Sequence, residues 1–266
     1  FINDGAMFQV VLDINQYISE FDSSRQPIIH DFTWSLPAIT VVLYLLFVYY
    51  GPKIMAKRAK FDLSFSLRYW NLFLAVISLI MFLGMAPPCF SFFLERGFFE
   101  LICLPGRELY HGSQMFWVYL FALSKYIELV DTLFLVLRQR RVTFLHYYHH
   151  TTVLLYTWFS MNTLPGGSGY IFSIMNSAVH TLMYWYYYRS ACGKQPRWGQ
   201  TVTVVQLAQM VVGVFISGVW TYFYFSNYNC TCDFPVEYII CSIALYGSYY
   251  LLFLQFYLNR YLSKRA

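Results

Sequence analysis

The segment RRVTFLHYYHHTTVLLYTWFSM, residues 140–161, decides how this chain is read. It passes from a basic pair, Arg140 and Arg141, into an apolar run with the character of a membrane helix. One turn inside that run stand His146, His149 and His150. Positions i, i+3 and i+4 share one helix face. Three polar rings on one face at membrane depth are costly unless they face a bundle interior and serve a function there. The chain has six histidines in 266 residues, so half of them lie in this box.

The rest of the chain fits a membrane setting. It is 58% hydrophobic and 12% charged, whereas a soluble domain carries about 25% charged residues. Soluble and nucleic-acid-binding classes drop out. The 25 Tyr and 26 Phe exceed what interfacial belts need, so many of them must line helix contacts or an apolar cavity. A bilayer helix takes about 20 apolar residues. Seven runs qualify: 33–51, 69–90, 114–137, 143–161, 169–188, 201–225 and 236–258. The expected fold is therefore an all-α integral membrane protein of seven transmembrane helices. Residues 1–32 form an N-terminal segment with an amphipathic helix over 6–22, residues 33–262 the seven-helix domain, and 263–266 a tail. No internal repeat is visible.

Basic residues collect in cytosolic loops. Fourteen of the 18 lie in the first, third and fifth loops and the C-terminus, with Arg138, Arg140, Arg141 and Lys194 among them. An alternating seven-span chain puts all of these on one side, which predicts a luminal N-terminus and a cytosolic C-terminus. Cys103, Cys230 and Cys232 then fall on the luminal side, where a bridge from Cys103 to Cys232 or Cys230 can form; three free thiols are the alternative. Asn229-Cys230-Thr231 is a glycosylation sequon on the same side, expected to be poorly used so close to a span.

The third run carries Lys125, Glu128 and Asp131 at i, i+3, i+6, on one side of a helix where they can pair with one another. The fifth carries Asn176 and His180, and the sixth carries Thr203, Gln206 and Gln209 on one face. By topology all of these converge near the depth of the histidine box, at the cytosolic end of the bundle. A basic rim in front of a polar cluster, backed by aromatic helices, describes a pocket for an anionic head with a long apolar tail, such as an acyl-coenzyme A.

The residues leave three chemistries open. A histidine-box, metal-dependent lipid oxidoreductase of the desaturase or hydroxylase kind needs many histidines. His30 and His111 fall on the luminal side, so four remain, too few for a two-iron centre though not for a single ion. A seven-helix receptor or transporter fits the topology but lacks the Asp/Glu-Arg-Tyr and Asn-Pro-x-x-Tyr signatures. An acyl-transferring enzyme is the third.

The motifs bear on this choice. Lys125-x-x-Glu128-x-x-Asp131-Thr132, His146-x-x-His149-His150, Asn176-x-x-x-His180-x-x-Met183-Tyr184-x-Tyr186-Tyr187 and Thr203-x-x-Gln206-x-x-Gln209 follow one another in the order found in the fatty-acid elongases of the endoplasmic reticulum. From about residue 30 onward the chain resembles that family, and the box is most similar to its branch acting on saturated and monounsaturated chains. The resemblance implies a condensing enzyme that joins acyl-CoA and malonyl-CoA into 3-ketoacyl-CoA with loss of CO2 and CoA. It implies a bundle built around an acyl tunnel, with no bound cofactor or metal. Its partners would be membrane lipid, the other elongation-cycle enzymes and a second copy of itself.

No cysteine is placed to act as nucleophile, which leaves histidine. The resemblance selects His149 to take the acyl group as an acyl-imidazole. His146 and His150 would set its orientation with help from Glu128 and Asp131. His180 would contact a substrate carbonyl, and Asn176 and Tyr184 would donate to developing oxyanions. Lys125 would pair with Glu128 or steer the malonyl carboxylate. Thr132, Tyr187, Gln206, Gln209, Arg138, Arg141 and Lys194 complete the expected substrate contacts.

Overall fold

A computed structural model describes residues 4–22, 34–103, 106, 112–163, 167–194, 196–226 and 236–262. Among these every regular element is a helix. Asp4–Ser19 forms α1, Ser35–Met55 α2, Ser64–Cys103 α3, Gly112–Glu128 α4, Val130–Leu137 α5, Phe144–Thr163 α6, Gly167–Ala191 α7, Gly199–Phe225 α8 and Val236–Tyr257 α9. A π-helical turn, Leu258–Leu262, follows α9. Each of the seven apolar runs is helical. The second grows most: α3 continues past Pro87 and Pro88 to Cys103, and turns at Gly97 (φ 85°), where the left-handed backbone suits a residue without Cβ.

Four segments, Ser35–Met55, Ser64–Cys103, Gly199–Phe225 and Val236–Leu262, are long and apolar enough to cross a bilayer. The protein is a multi-pass membrane protein. The third run is divided into two helices too short to qualify, Gly112–Glu128 and Val130–Leu137, and the fourth and fifth carry the histidine box and Asn176 with His180.

Six helices close a ring by their contacts, in the order α3, α4, α6, α9, α8, α7 and back to α3. The α3–α7 contact is the most extensive. Helix α2 stands outside the ring against α5 and α6. Only 17% of its apolar window is buried, against 39% for α8, so α2 turns most of its surface to lipid. Helix α1 docks on α4 through Phe21, whose ring lies 5.4 Å from Phe116. Helices α8 and α9 meet at Gly213, where any Cβ would overlap the Tyr246 ring. That close approach seats Tyr246 inside the ring.

Two local devices place the site. The third run is not one helix. It breaks at Leu129, where the N–H groups of Leu129 and Thr132 reach back only three residues, to Tyr126 and Leu129. Glu128 and Asp131, on either side of this turn, meet different partners. After α5 the chain reverses through Gln139 in the left-handed region (φ 55°). The Arg140 N–H then bonds the Leu135 carbonyl and the Gln139 N–H the Val136 carbonyl, closing a Schellman turn. The Gln139 amide also donates to the carbonyls of Met55 (2.7 Å) and Arg58 (2.8 Å), tying two loops together at this end. Thr143 caps α6, its Oγ1 accepting from the N–H of His146.

Cys103 is disulfide-bonded. Its expected partners Cys230 and Cys232, and the sequon at Asn229, lie outside the described residues.

Candidate active site

Two cavities lie inside the ring. The wide one, about 630 Å³, opens between α3, α5, α6, α7, α8 and α9. The narrow one, about 50 Å³, runs on between α4, α6, α7, α8 and α9. They share four lining residues: His149, Asn176, Gln209 and Met210.

The three box histidines have different surroundings. The Nε2 of His146 lies 2.9 Å from Thr132 Oγ1, which in turn lies 2.9 Å from the Tyr44 hydroxyl. His150 is buried, its ring 4.4 Å from that of His146 between centroids, and its Nδ1 has no partner. His149 stands where the cavities meet. Neither of its ring nitrogens has a hydrogen-bond partner among the described residues. Its backbone is fixed instead: the Tyr249 hydroxyl donates to the His149 carbonyl at 3.2 Å, and the two rings are 5.2 Å apart.

Beneath this lies a polar circuit, hydrogen-bonded except at the approach of His180 to Glu128. The Lys125 ammonium donates to Glu128 Oε1 (2.7 Å) and Asn176 Oδ1 (2.8 Å), and rests 4.3 Å from the centroid of the Phe121 ring. Asn176 Nδ2 lies 3.2 Å from His180 Nε2, and His180 Nδ1 lies 3.4 Å from Glu128 Oε1. Lys125 and Glu128 are 1% and 2% exposed and line neither cavity. Unpaired charges this deep would be very costly, so the circuit is as much a condition of folding as of function.

Asp131 does not join it, contrary to the expected three-way pairing. Past the break at Leu129, Asp131 meets α3 and α7, where it accepts from Trp70 Nε1 (2.6 Å) and from the Tyr184 hydroxyl (2.7 Å). Nor do Glu128 and Asp131 reach His149, as the sequence reading expected; Glu128 serves Lys125 and His180.

Of the expected site residues, Asp131, Arg138, His146, His149, His150, Asn176, His180, Tyr184, Tyr187, Gln206 and Gln209 line the wide cavity. Thr132 is fully buried behind His146. Arg141 and Lys194 are exposed and line neither cavity. Lys125 is enclosed and cannot meet a substrate carboxylate. The sequence reading missed Tyr44, Trp70 and Tyr249. Each sits in an apolar aromatic run on a different helix, and the site partner of each is 61 or more residues away. Among the described residues no three His, Cys, Asp or Glu side chains converge to hold a metal ion.

A ring of apolar helices around a narrow, largely apolar slit, with a polar chamber and histidines at its head, is the architecture of a membrane enzyme of lipid metabolism. The ELO family model, described as the GNS1/SUR4 family, matches residues 30–266, and the chain belongs to that family. It is 37% identical over 235 residues to the Gallus gallus protein named very long chain fatty acid elongase 6, covering 87% of this chain and 86% of that one. The Drosophila melanogaster protein of the same name is 34% identical over 256 residues, 93% of this chain and 80% of its own. A Caenorhabditis elegans protein named putative fatty acid elongase 3 is 38% identical over 250 residues, 92% of this chain and 77% of its own.

Proposed function

We propose that this chain is the condensing enzyme of fatty-acid elongation, converting acyl-CoA and malonyl-CoA to 3-ketoacyl-CoA, CO2 and CoA through an acyl group carried on His149. Family membership and the names of the relatives support the reaction. One observation carries the route: of the box histidines only His149 lines both cavities, and its nitrogens have no hydrogen-bond partner among the described residues, while His146 is bound to Thr132 and His180 to Asn176.

In the first half-reaction a neutral imidazole nitrogen of His149 attacks the thioester carbon lying at the junction. The C–S bond breaks, and the proton lost from the other ring nitrogen ends on the CoA sulfur. This leaves a neutral acyl-imidazole, a reactive acyl donor. Its tail occupies the narrow cavity. In the second half, malonyl-CoA enters the wide cavity and loses CO2. The electron pair of the broken C–C bond attacks the acyl carbon, and the bond to His149 breaks. The imidazole recovers a proton from solvent. The wide cavity brings Asn176 to the oxygens that gain charge, where such donors act, and Arg138 to its lining; the Tyr184 hydroxyl is committed to Asp131.

The same reading places all seven helices across the membrane of the endoplasmic reticulum, with the N-terminus luminal and the C-terminus cytosolic. The clustering of basic residues supports that orientation. No bound cofactor is required; acyl-CoA and malonyl-CoA are the ligands, and the other elongation-cycle enzymes are the natural neighbours for an unstable ketoacyl product.

The test is intact-mass and peptide analysis after incubation with acyl-CoA alone. CoA should be released before malonyl-CoA is added, and the acyl mass should sit on the His149 peptide. If release needs both substrates together, the covalent route is wrong. An adduct that persists in His149→Ala and disappears in another histidine variant moves the nucleophile elsewhere.

A further inference from the structure

Lys125 is charged, enclosed and without access to substrate, yet it touches Asn176, one of the four residues at the junction. We infer that Lys125 is a positioning residue that fixes the polarity of the Asn176 amide, so that the amide presents N–H rather than C=O to the reacting carbonyl. The inference rests on the reading that the acyl transfer takes place at His149.

Donors and acceptors alternate along the circuit in a fixed order. An ammonium has three donors and no acceptor. The Asn176 atom 2.8 Å from Lys125 Nζ is therefore the amide oxygen. The NH2 end must then face the other way, 3.2 Å from His180 Nε2. A neutral imidazole has one donor nitrogen and one acceptor. With an N–H aimed at it, Nε2 is the acceptor, and the His180 proton sits on Nδ1, 3.4 Å from the Glu128 carboxylate. From Lys125 through Asn176 to His180 the links run in one sense of direction, set by the one member that can only donate. An amide nitrogen carries two hydrogens. His180 takes one. The second is left on the side of Asn176 that lines both cavities, beside His149. Without the ammonium, the amide can turn over as His180 changes tautomer, and an oxygen lone pair would then face the developing oxyanion.

Removing Lys125 alone strands the Glu128 charge, so the test uses the charge-balanced pair Lys125→Met with Glu128→Gln. The amide introduced by Glu128→Gln retains an acceptor for His180 Nδ1. Release of CoA from acyl-CoA should slow about 100-fold, the loss typical of one oxyanion donor, with KM for acyl-CoA within twofold. A purely structural ion pair predicts the reverse, with the balanced variant regaining the wild-type kcat, and that result overturns the inference. A second measurement needs no turnover. The ring 15N resonances of His180 in the resting protein, assigned by their loss in His180→Gln, should report the Nδ1–H tautomer, and a mixture of tautomers in the balanced variant. An Nε2–H tautomer in the unaltered protein overturns the inference, even if the variant fails to assemble. Failure of the His149 route is distinguishable, because it shows as absence of the acyl adduct and leaves the tautomer unchanged.

Discussion

The two cavities are alike only in the four residues they share. The wide one is walled by Asp131, Arg138, Tyr184 and Gln206 together with all three box histidines; the narrow one is walled by Val118, Phe121, Val153, Met161 and Leu245 with a few hydroxyls. Those hydroxyls are mostly occupied already: Thr157 bonds the carbonyls of Val153 and Leu154, Ser173 that of Gly169, and Ser160 the Tyr238 hydroxyl. The narrow cavity therefore offers a tail little beyond dispersion and release from lipid, while the wide one offers charge, donors and room. The contrast teaches that binding and chemistry are divided along the axis of α6. The proposed route confines the reaction to the one level where both environments touch.

The sharpest way to break this division is at the shared level. His149→Ala should leave both cavities in place and lower condensation by about 1,000-fold or more, as loss of a nucleophile does. Its kcat, measured with saturating substrates, should fall while the KM for acyl-CoA stays within a few-fold. If KM rises and kcat holds, His149 is a wall residue of both cavities and nothing more.

Asp131 tests the wide cavity alone. In Asp131→Ala the Trp70 N–H and the Tyr184 hydroxyl both lose their acceptor. A buried donor left unpaired costs about 1–3 kcal/mol. The variant should unfold at lower temperature, and a Tyr184 released from its place should lower kcat about tenfold. Acyl-chain preference should be unchanged, because Asp131 does not line the narrow cavity. A shift in chain preference would mean that the two cavities are mechanically coupled.

The narrow cavity has its own probe. Its α6 lining runs from His149 to Met161, 12 residues or about 18 Å of helix. An extended chain advances about 1.25 Å per carbon, given a C–C bond of about 1.5 Å at a near-tetrahedral angle. The lining thus spans the length of about 14 methylenes, and the slit, at about 50 Å³, must widen to admit them. Met161→Trp should block its far end. Each methylene excluded from an apolar site forfeits about 0.8 kcal/mol, so a displaced two-carbon unit lowers kcat/KM roughly 15-fold for the longest accepted acyl-CoA. Shorter substrates should keep their rates. An equal loss across a panel of graded chain lengths would show that the tail does not lie along α6.

The division was only partly legible in the sequence. All seven apolar runs are helical, the third as two helices, and the spacing of His146, His149 and His150 gave their common face. Loop charge and depth also brought Asn176, His180, Gln206 and Gln209 to the right level. What escaped was the break at Leu129. No Pro or Gly marks it, and a tripled i, i+3 spacing promises one continuous face. The partners Trp70 and Tyr44 escaped for another reason: an aromatic in an apolar run looks the same whether it faces lipid or holds a carboxylate 61 residues away. The direction of the Lys125 circuit needed coordinates, because composition cannot say which end of an amide faces a cation.

The smallest effect belongs to the rim, and it separates the wide cavity from the solvent in front of it. Arg138 lines the cavity, whereas Arg141 is exposed outside it. Both carry the same charge and lie three residues apart, so long-range attraction for an anionic CoA should treat them nearly alike. Contact should not. An exposed pair contributes about 0.2–1 kcal/mol and is screened by salt, so Arg141→Ala should raise the KM for malonyl-CoA less than about fivefold, and the difference should vanish at high ionic strength. Arg138→Ala should raise it more, with part of the effect surviving salt, because a group inside the cavity is less screened than one in bulk solvent. Equal, fully salt-sensitive effects would mean that the CoA phosphates stay outside and that only the pantetheine arm enters the wide cavity.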